Sequence, residues 1–281
     1  LIAAVADGHG DDRHDQSQFG AALAVRVATD ELFTLQTNFG GPGLSARLAT
    51  NFKSDFPRRI GKRWREAVIA DASFRLADTM GDHHDDSVIL RRYGTTLLAA
   101  IVVGNMLLVG QIGDGEALIV RQGNSVDFPL AGQSEDAGIV TDSLCSEGAF
   151  RLWRTASLDC AQGCLILLAT DGLVNAFADD TQLDMFARSM RERVIEHGLV
   201  NVANSLPGWL DYYSDRGSGD DITLALLQVN PDSQRLQRSS PSASGGDFGE
   251  HSQENADVSG DRPTGICGDI KKQSPDTEKI G

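Results

Sequence analysis

Six apolar runs punctuate the first 230 residues: Leu1–Ala6, Thr95–Val103, Met106–Ile112, Ala117–Val120, Leu165–Ala169 and Ile222–Val229. They are short and almost uninterrupted by charge. Such runs predict strands buried on both faces, which requires a further layer on either side. Between them the period changes to that of a helix. Phe19, Leu23, Val27 and, slightly out of step, Leu32 form one apolar face; Trp64, Val68, Ala72 and Leu76 form a second; Leu183, Phe186, Met190 and Val194 form a third. A fourth set, Val202, Leu206, Leu210 and Tyr213, is interrupted by Pro207-Gly208, which predicts a kink or two short helices.

The stretch from Tyr93 to Gly113 carries no charge and is long enough to raise a membrane helix. Gly104-Asn105 divides it into two halves rich in Val, Ile, Thr and Leu, and that pair between two such runs signals a two-residue hairpin turn. A buried β-hairpin is the expectation. From Pro231 onward Ser, Gly, Pro, Asp, Glu, Gln and Asn dominate and apolar periodicity is lost. The expected partition is one domain over residues 1–230 and a disordered tail over 231–281, since the tail cannot bury enough surface to offset its ordering entropy.

With 281 residues, 41% of them hydrophobic, the chain can bury a large core. Its net charge of −15 repels polyphosphate backbones, which sets nucleic-acid partners aside. Cys145, Cys160, Cys164 and Cys267 match neither a disulfide framework nor a paired zinc motif, so reduced thiols in a cytoplasmic protein are expected. No secretory signal opens the chain, and no membrane partner is expected.

Four aspartates share one local setting. Asp7 lies in Val5-Ala6-Asp7-Gly8-His9-Gly10, Asp114 in Gly113-Asp114-Gly115, Asp171 in Ala169-Thr170-Asp171-Gly172, and Asp220 in Gly219-Asp220-Asp221-Ile222-Thr223. Each adjoins an end of a predicted strand, where side chains can leave the core for a cleft and a neighbouring glycine lets backbone approach closely. Taken singly, an Asp-Gly pair is commonly a turn. Four carboxylates that converged would repel one another unless hard cations such as Mg²⁺ or Mn²⁺ lay between them. His9, beside Asp7, could carry a proton near neutral pH.

Together these motifs resemble the metal-dependent protein phosphatases of the type 2C class, bacterial branch. The ordered matches are Val5–Gly10, Gly94-Thr95-Thr96, Gly113–Gly115, Ala169–Gly172 and Gly219–Thr223. The resemblance implies an α+β fold, a four-layer α-β-β-α sandwich of two antiparallel sheets flanked by helices. It further implies hydrolysis of phosphoserine and phosphothreonine in proteins by a water held between two Mg²⁺ or Mn²⁺ ions. Asp7 would bridge both metals, Gly8 would lend its carbonyl, and Asp171 and Asp220 would complete one shell. Asp114 with Asp171 would hold a third, weaker metal, and His9 would protonate the leaving oxygen. A phosphorylated protein would be the substrate and a Ser/Thr kinase a cognate partner.

The chain departs from the family pattern in three places. Asn175 stands where the family often carries a further aspartate, and Asp221 follows Asp220 where many relatives have asparagine, leaving either residue as ligand. Relatives also begin with a strand and loop upstream of the Asp-Gly-His-Gly motif, carrying a phosphate-gripping arginine; this chain opens at Leu1, so that strand is expected to be missing. Two other readings stay open: a catalytically silent phosphatase-like binding domain, and a partner-switching phosphatase acting on an anti-sigma antagonist.

Three further segments invite weighing. Asp82-His83-His84-Asp85-Asp86 looks like a ligand cluster and is expected to be a solvated loop. Arg58 to Arg65 is a basic patch, read as a solvated helix start ahead of a docking surface. Residues 132–151 lie where the family carries a mobile flap, and a flap or an ordinary loop fits equally.

Overall fold

The computed structural model describes residues 1–38, 44–76, 85–132 and 142–231. Residues 232–281 of the predicted tail, His83-His84 and residues 133–141 of the predicted flap lie outside the described residues.

Two antiparallel four-stranded sheets stack face to face. The first has the order β1-β2-β3-β6, from Ile2–Val5, Leu97–Val103, Met106–Ile112 and Arg154–Asp159. The second has the order β5-β4-β7-β8, from Val126–Asp127, Glu116–Arg121, Cys164–Ala169 and Leu224–Val229. Period-2 alternation assigns each side chain to a layer. On β2, Leu98, Ala100 and Val102 enter the core between the sheets, while Leu97, Ala99 and Ile101 face the helices outside. On β7, Cys164, Ile166 and Leu168 point between the sheets, and Leu165, Leu167 and Ala169 point outward.

Helices α1 (Ser17–Asn38), α2 (Leu44–Ser54), α3 (Phe56–Arg75) and the short α4 (Asp86–Arg92) cover the first sheet. Their buried rows recur every three to four residues, as in Ile60, Trp64, Val68 and Ala72 of α3. The second sheet is covered by α6 (Asp180–His197) and α7 (Leu199–Tyr213), after the single-turn α5 (Asp171–Val174). Four layers result, α-β-β-α, as the resemblance implied.

The uncharged stretch is the β2–β3 hairpin, with Val103 paired to Met106 and Gly104 at φ +59°, a left-handed turn conformation that a side chain would strain. Of the two forms expected at Pro207-Gly208, two short helices are not what forms: α7 is a single helix that runs through Pro207. The carbonyl that Pro207 cannot pair belongs to Ala203, which is exposed, so water can satisfy it at little cost. The basic patch proves to be structural in two of its residues. Arg59 and Arg63, in α3, each donate at 2.7 Å to the buried carboxylate of Glu31 in α1, and the guanidinium of Arg58 stacks 4.0 Å above the Phe150 ring. Asp85, from the acidic-histidine segment, caps α4 by accepting from the Ser87 N–H at 2.9 Å, and Asp86 begins the helix.

Candidate metal centre

Strand ends from both sheets meet at one edge of the sandwich. Asp7 extends β1 beyond its last paired residue and its backbone is anchored at the head of β2: its N–H donates to Thr96 Oγ1 at 3.0 Å, and its carbonyl accepts from the Thr96 N–H at 2.8 Å and from Thr95 Oγ1 at 2.7 Å. Thr95-Thr96 at the head of β2 is therefore a shelf that fixes the Asp7 peptide and leaves its carboxylate to the cleft. Gly8 pairs with Thr95 in an isolated antiparallel bridge.

Asp171 opens α5 directly after β7. The preceding Thr170 is locked to β8, donating its N–H to the Thr223 carbonyl at 3.0 Å and accepting from the Thr223 N–H at 2.9 Å. Asp220 follows the turn Ser214–Ser218, where Ser214 Oγ donates to its carbonyl at 2.7 Å. The two segments touch where Gly172 has no side chain. A Cβ there would collide with the Asp221 carbonyl oxygen and lie 3.1 Å from its carbon, so the approach of Asp220 to Asp171 depends on that glycine.

Carboxylate oxygens of Asp7, Asp171 and Asp220 consequently lie within 4.8 Å of one another. Asp221 is not in the set, and its N–H donates to Asp220 Oδ1 at 2.9 Å. Asp114, exposed in the turn between β3 and β4, stands outside the three, near enough for its charge to act on Asp7 and His9. Asn175 donates its amide to Asp171 Oδ2 at 3.2 Å and so orients that carboxylate.

Crowded acid groups cannot all ionise without cost. Burial, then a hydrogen bond shared with Asp171, then the charges of Asp171, Asp220 and Asp114, push the Asp7 carboxyl up to about 7. A set of hard oxygen donors whose mutual repulsion is relieved by positive charge fits divalent cations of the Mg²⁺ or Mn²⁺ kind. His9 sits beside the cluster, its imidazole pushed below the ordinary range first by burial and then by the neighbouring His14. His14 escaped the sequence reading: it belongs to no motif, and only the return of Gly94 to the same spot brings it to His9.

With this geometry in place, comparison with known proteins identifies the class. The family model described as "Protein phosphatase 2C" matches residues 1–211, and the chain belongs to that family. A probable protein phosphatase 2C 43 of Arabidopsis thaliana is 30% identical over 124 residues, which is 44% of this chain and 24% of the relative; the chain thus spans about a quarter of that relative's length. Among solved structures, a bacterial serine phosphatase aligns over 82% of this chain and 87% of its own, with 15% identity and a TM-score of 0.51. The catalytic domain of the serine/threonine phosphatase PstP, in complex with two manganese ions, aligns over 82% and 88% with 20% identity and a TM-score of 0.49.

Proposed function

We propose that this chain, through residues 1–230, hydrolyses phosphoserine and phosphothreonine monoesters in proteins with the help of divalent cations. The observation that carries the reading is the convergence of Asp7, Asp171 and Asp220 from three distant parts of the sequence. Those three, with the Gly8 carbonyl, would hold two Mg²⁺ or Mn²⁺ ions, and Asp114 with Asp171 would hold a third. Bound there, the ions would supply positive charge to the phosphate oxygens and acidify a water.

The protein's own groups do the remainder. The Thr95-Thr96 shelf keeps the Asp7 carboxylate in register, and Asn175 and Gly172 fix Asp171 against the Asp220 segment. As water adds to phosphorus and the ester P–O bond breaks, the electron pair passes to the seryl or threonyl oxygen. His9 gives that oxygen a proton, leaving alcohol and inorganic phosphate.

The substrate would be a phosphoprotein, and a Ser/Thr kinase the enzyme that supplies it. Among the described residues no helix is long and apolar enough to cross a membrane. The free thiols of Cys145, Cys160 and Cys164 support a cytoplasmic setting as part of this reading.

The test is Mn²⁺-dependent release of phosphate from a phosphothreonine peptide. Asp171→Asn is expected to abolish it, and unchanged turnover in that variant would overturn the assignment. Titration calorimetry separates the silent reading, which predicts no Mn²⁺ uptake.

A further inference from the structure

His14 closes the single 3-10 turn Asp12–His14 that follows the Asp-Gly-His-Gly segment, and its side chain is only 11% exposed. Its Nδ1 meets the Arg91 carbonyl at the end of α4; a carbonyl can only accept, so Nδ1 carries the hydrogen. Its Nε2 faces Asp11 Oδ2 at 3.7 Å. The ring lies against that of His9, centroids 4.8 Å apart and planes tilted by 57°.

Gly94 supplies the room. A Cβ on Gly94 would overlap His14 Nδ1 and fall 2.6 Å from His14 Cε1 and 2.9 Å from His9 Cδ2, so both imidazoles fill the volume a side chain would take. The same residue accepts the His9 N–H at 3.1 Å and donates its own N–H to the Arg91 carbonyl at 3.1 Å. One carbonyl, one glycine and two rings therefore form a closed packing unit beside the carboxylate cluster.

We propose that His14 is a positioning residue for His9: pinned by the Arg91 carbonyl and admitted by Gly94, it holds the His9 imidazole in the orientation that faces the leaving oxygen. The inference rests on the reading of His9 as proton donor. A side chain free to sample other rotamers presents its proton to the right atom for only part of the time, and misplacement by about 1 Å can cost on the order of 100-fold in rate.

The first readout needs no metal and no turnover. In the full chain with ring-labelled histidines, magnetisation transfer between the His9 and His14 rings is expected. His14→Ala should move the His9 ring signals toward those of a free imidazole, whereas His14→Phe, which keeps a ring, should leave them near their original positions. Gly94→Ala should displace them too, and by less in a His14→Ala background, where the vacated space accepts the methyl.

The second readout compares leaving groups with Mn²⁺ present. Nitrophenolate departs without a proton, while a threonyl oxygen needs one. His14→Ala is thus expected to lower the ratio of kcat on phosphothreonine peptide to kcat on p-nitrophenyl phosphate about tenfold, and His14→Phe to lower it less. His9 signals that do not respond to His14→Ala, or an equal fall on both substrates, would overturn the proposal. Failure of Asp171→Asn to matter would instead remove the phosphatase reading while leaving the ring-to-ring transfer intact.

Discussion

Replacing Asp7 by asparagine in the metal-free protein should make it more stable, and only at higher pH. The Asp7 carboxyl titrates near 7 in the folded chain against an ordinary value of 3.8. A folded-state pKa raised in this way means that the native state binds the extra proton more tightly than the unfolded chain does. Stability linked to Asp7 is therefore complete below about pH 4 and declines as pH rises toward 7, the unfolded chain ionising more readily throughout that window. A shift of about three units corresponds to about 4 kcal/mol. Asp7 is partly open to solvent and its neighbour Asp220 is exposed, so screening reduces the expected figure to about 2 kcal/mol.

Asp7→Asn keeps the shape and removes the charge. Urea unfolding followed by the fluorescence of Trp64, Trp153 and Trp209, with chelator present, should show the two proteins equal at pH 4. At pH 8 the variant should be ahead by about 2 kcal/mol, or roughly 4–8 °C in Tm. Adding Mn²⁺ should reverse the order by stabilising the parent alone. A gap that does not depend on pH, or a variant less stable than the parent at pH 8 in chelator, would mean that ionised Asp7 does not burden the metal-free fold.

Two further outcomes follow from the core and its thiols. Glu31→Gln should destabilise the fold by about 1–2 kcal/mol in denaturant titration, because it removes the buried charge that Arg59 and Arg63 grip while leaving both guanidinium groups partly open to water; burial pushes the Glu31 carboxyl up, but hydrogen bonds from Arg63 and Arg59 prevail and hold it below the usual range. Cys164, buried and pushed up to about 11 first by burial and then by Cys160, should resist an aromatic disulfide reagent until the protein unfolds, while half-buried Cys145 reacts in the native state.

What could be read from the amino-acid order depended on whether the signal was local. Strands β2, β3, β4 and β7 are buried on both faces and announce themselves as uncharged runs. Strand β6 is an edge, its burial is partial, and Arg154, Ser157 and Asp159 break its apolar character, so no run marks it. The two-residue β5 is too short for any pattern. Helix α2 was missed although its buried Leu48 and Phe52 stand four apart, a spacing too brief to separate from chance. Pro207-Gly208 carried a local warning that the exposed face of α7 absorbs without breaking. In the site, Asp7, Asp171 and Asp220 were visible because glycine flanks each at a strand end. The choice between Asp220 and Asp221 needed the close approach at Gly172, and the partnership of His9 with His14 needed a residue 80 positions away from His14, Gly94.

The three converging carboxylates belong to segments at residues 7, 171 and 220, flanking strands of both sheets. Such a site cannot be complete until both sheets have been assembled and stacked, which requires contacts between distant parts of the sequence. An ion captured there would act as a latch on the finished molecule, lengthening the lifetime of the native state by slowing its escape.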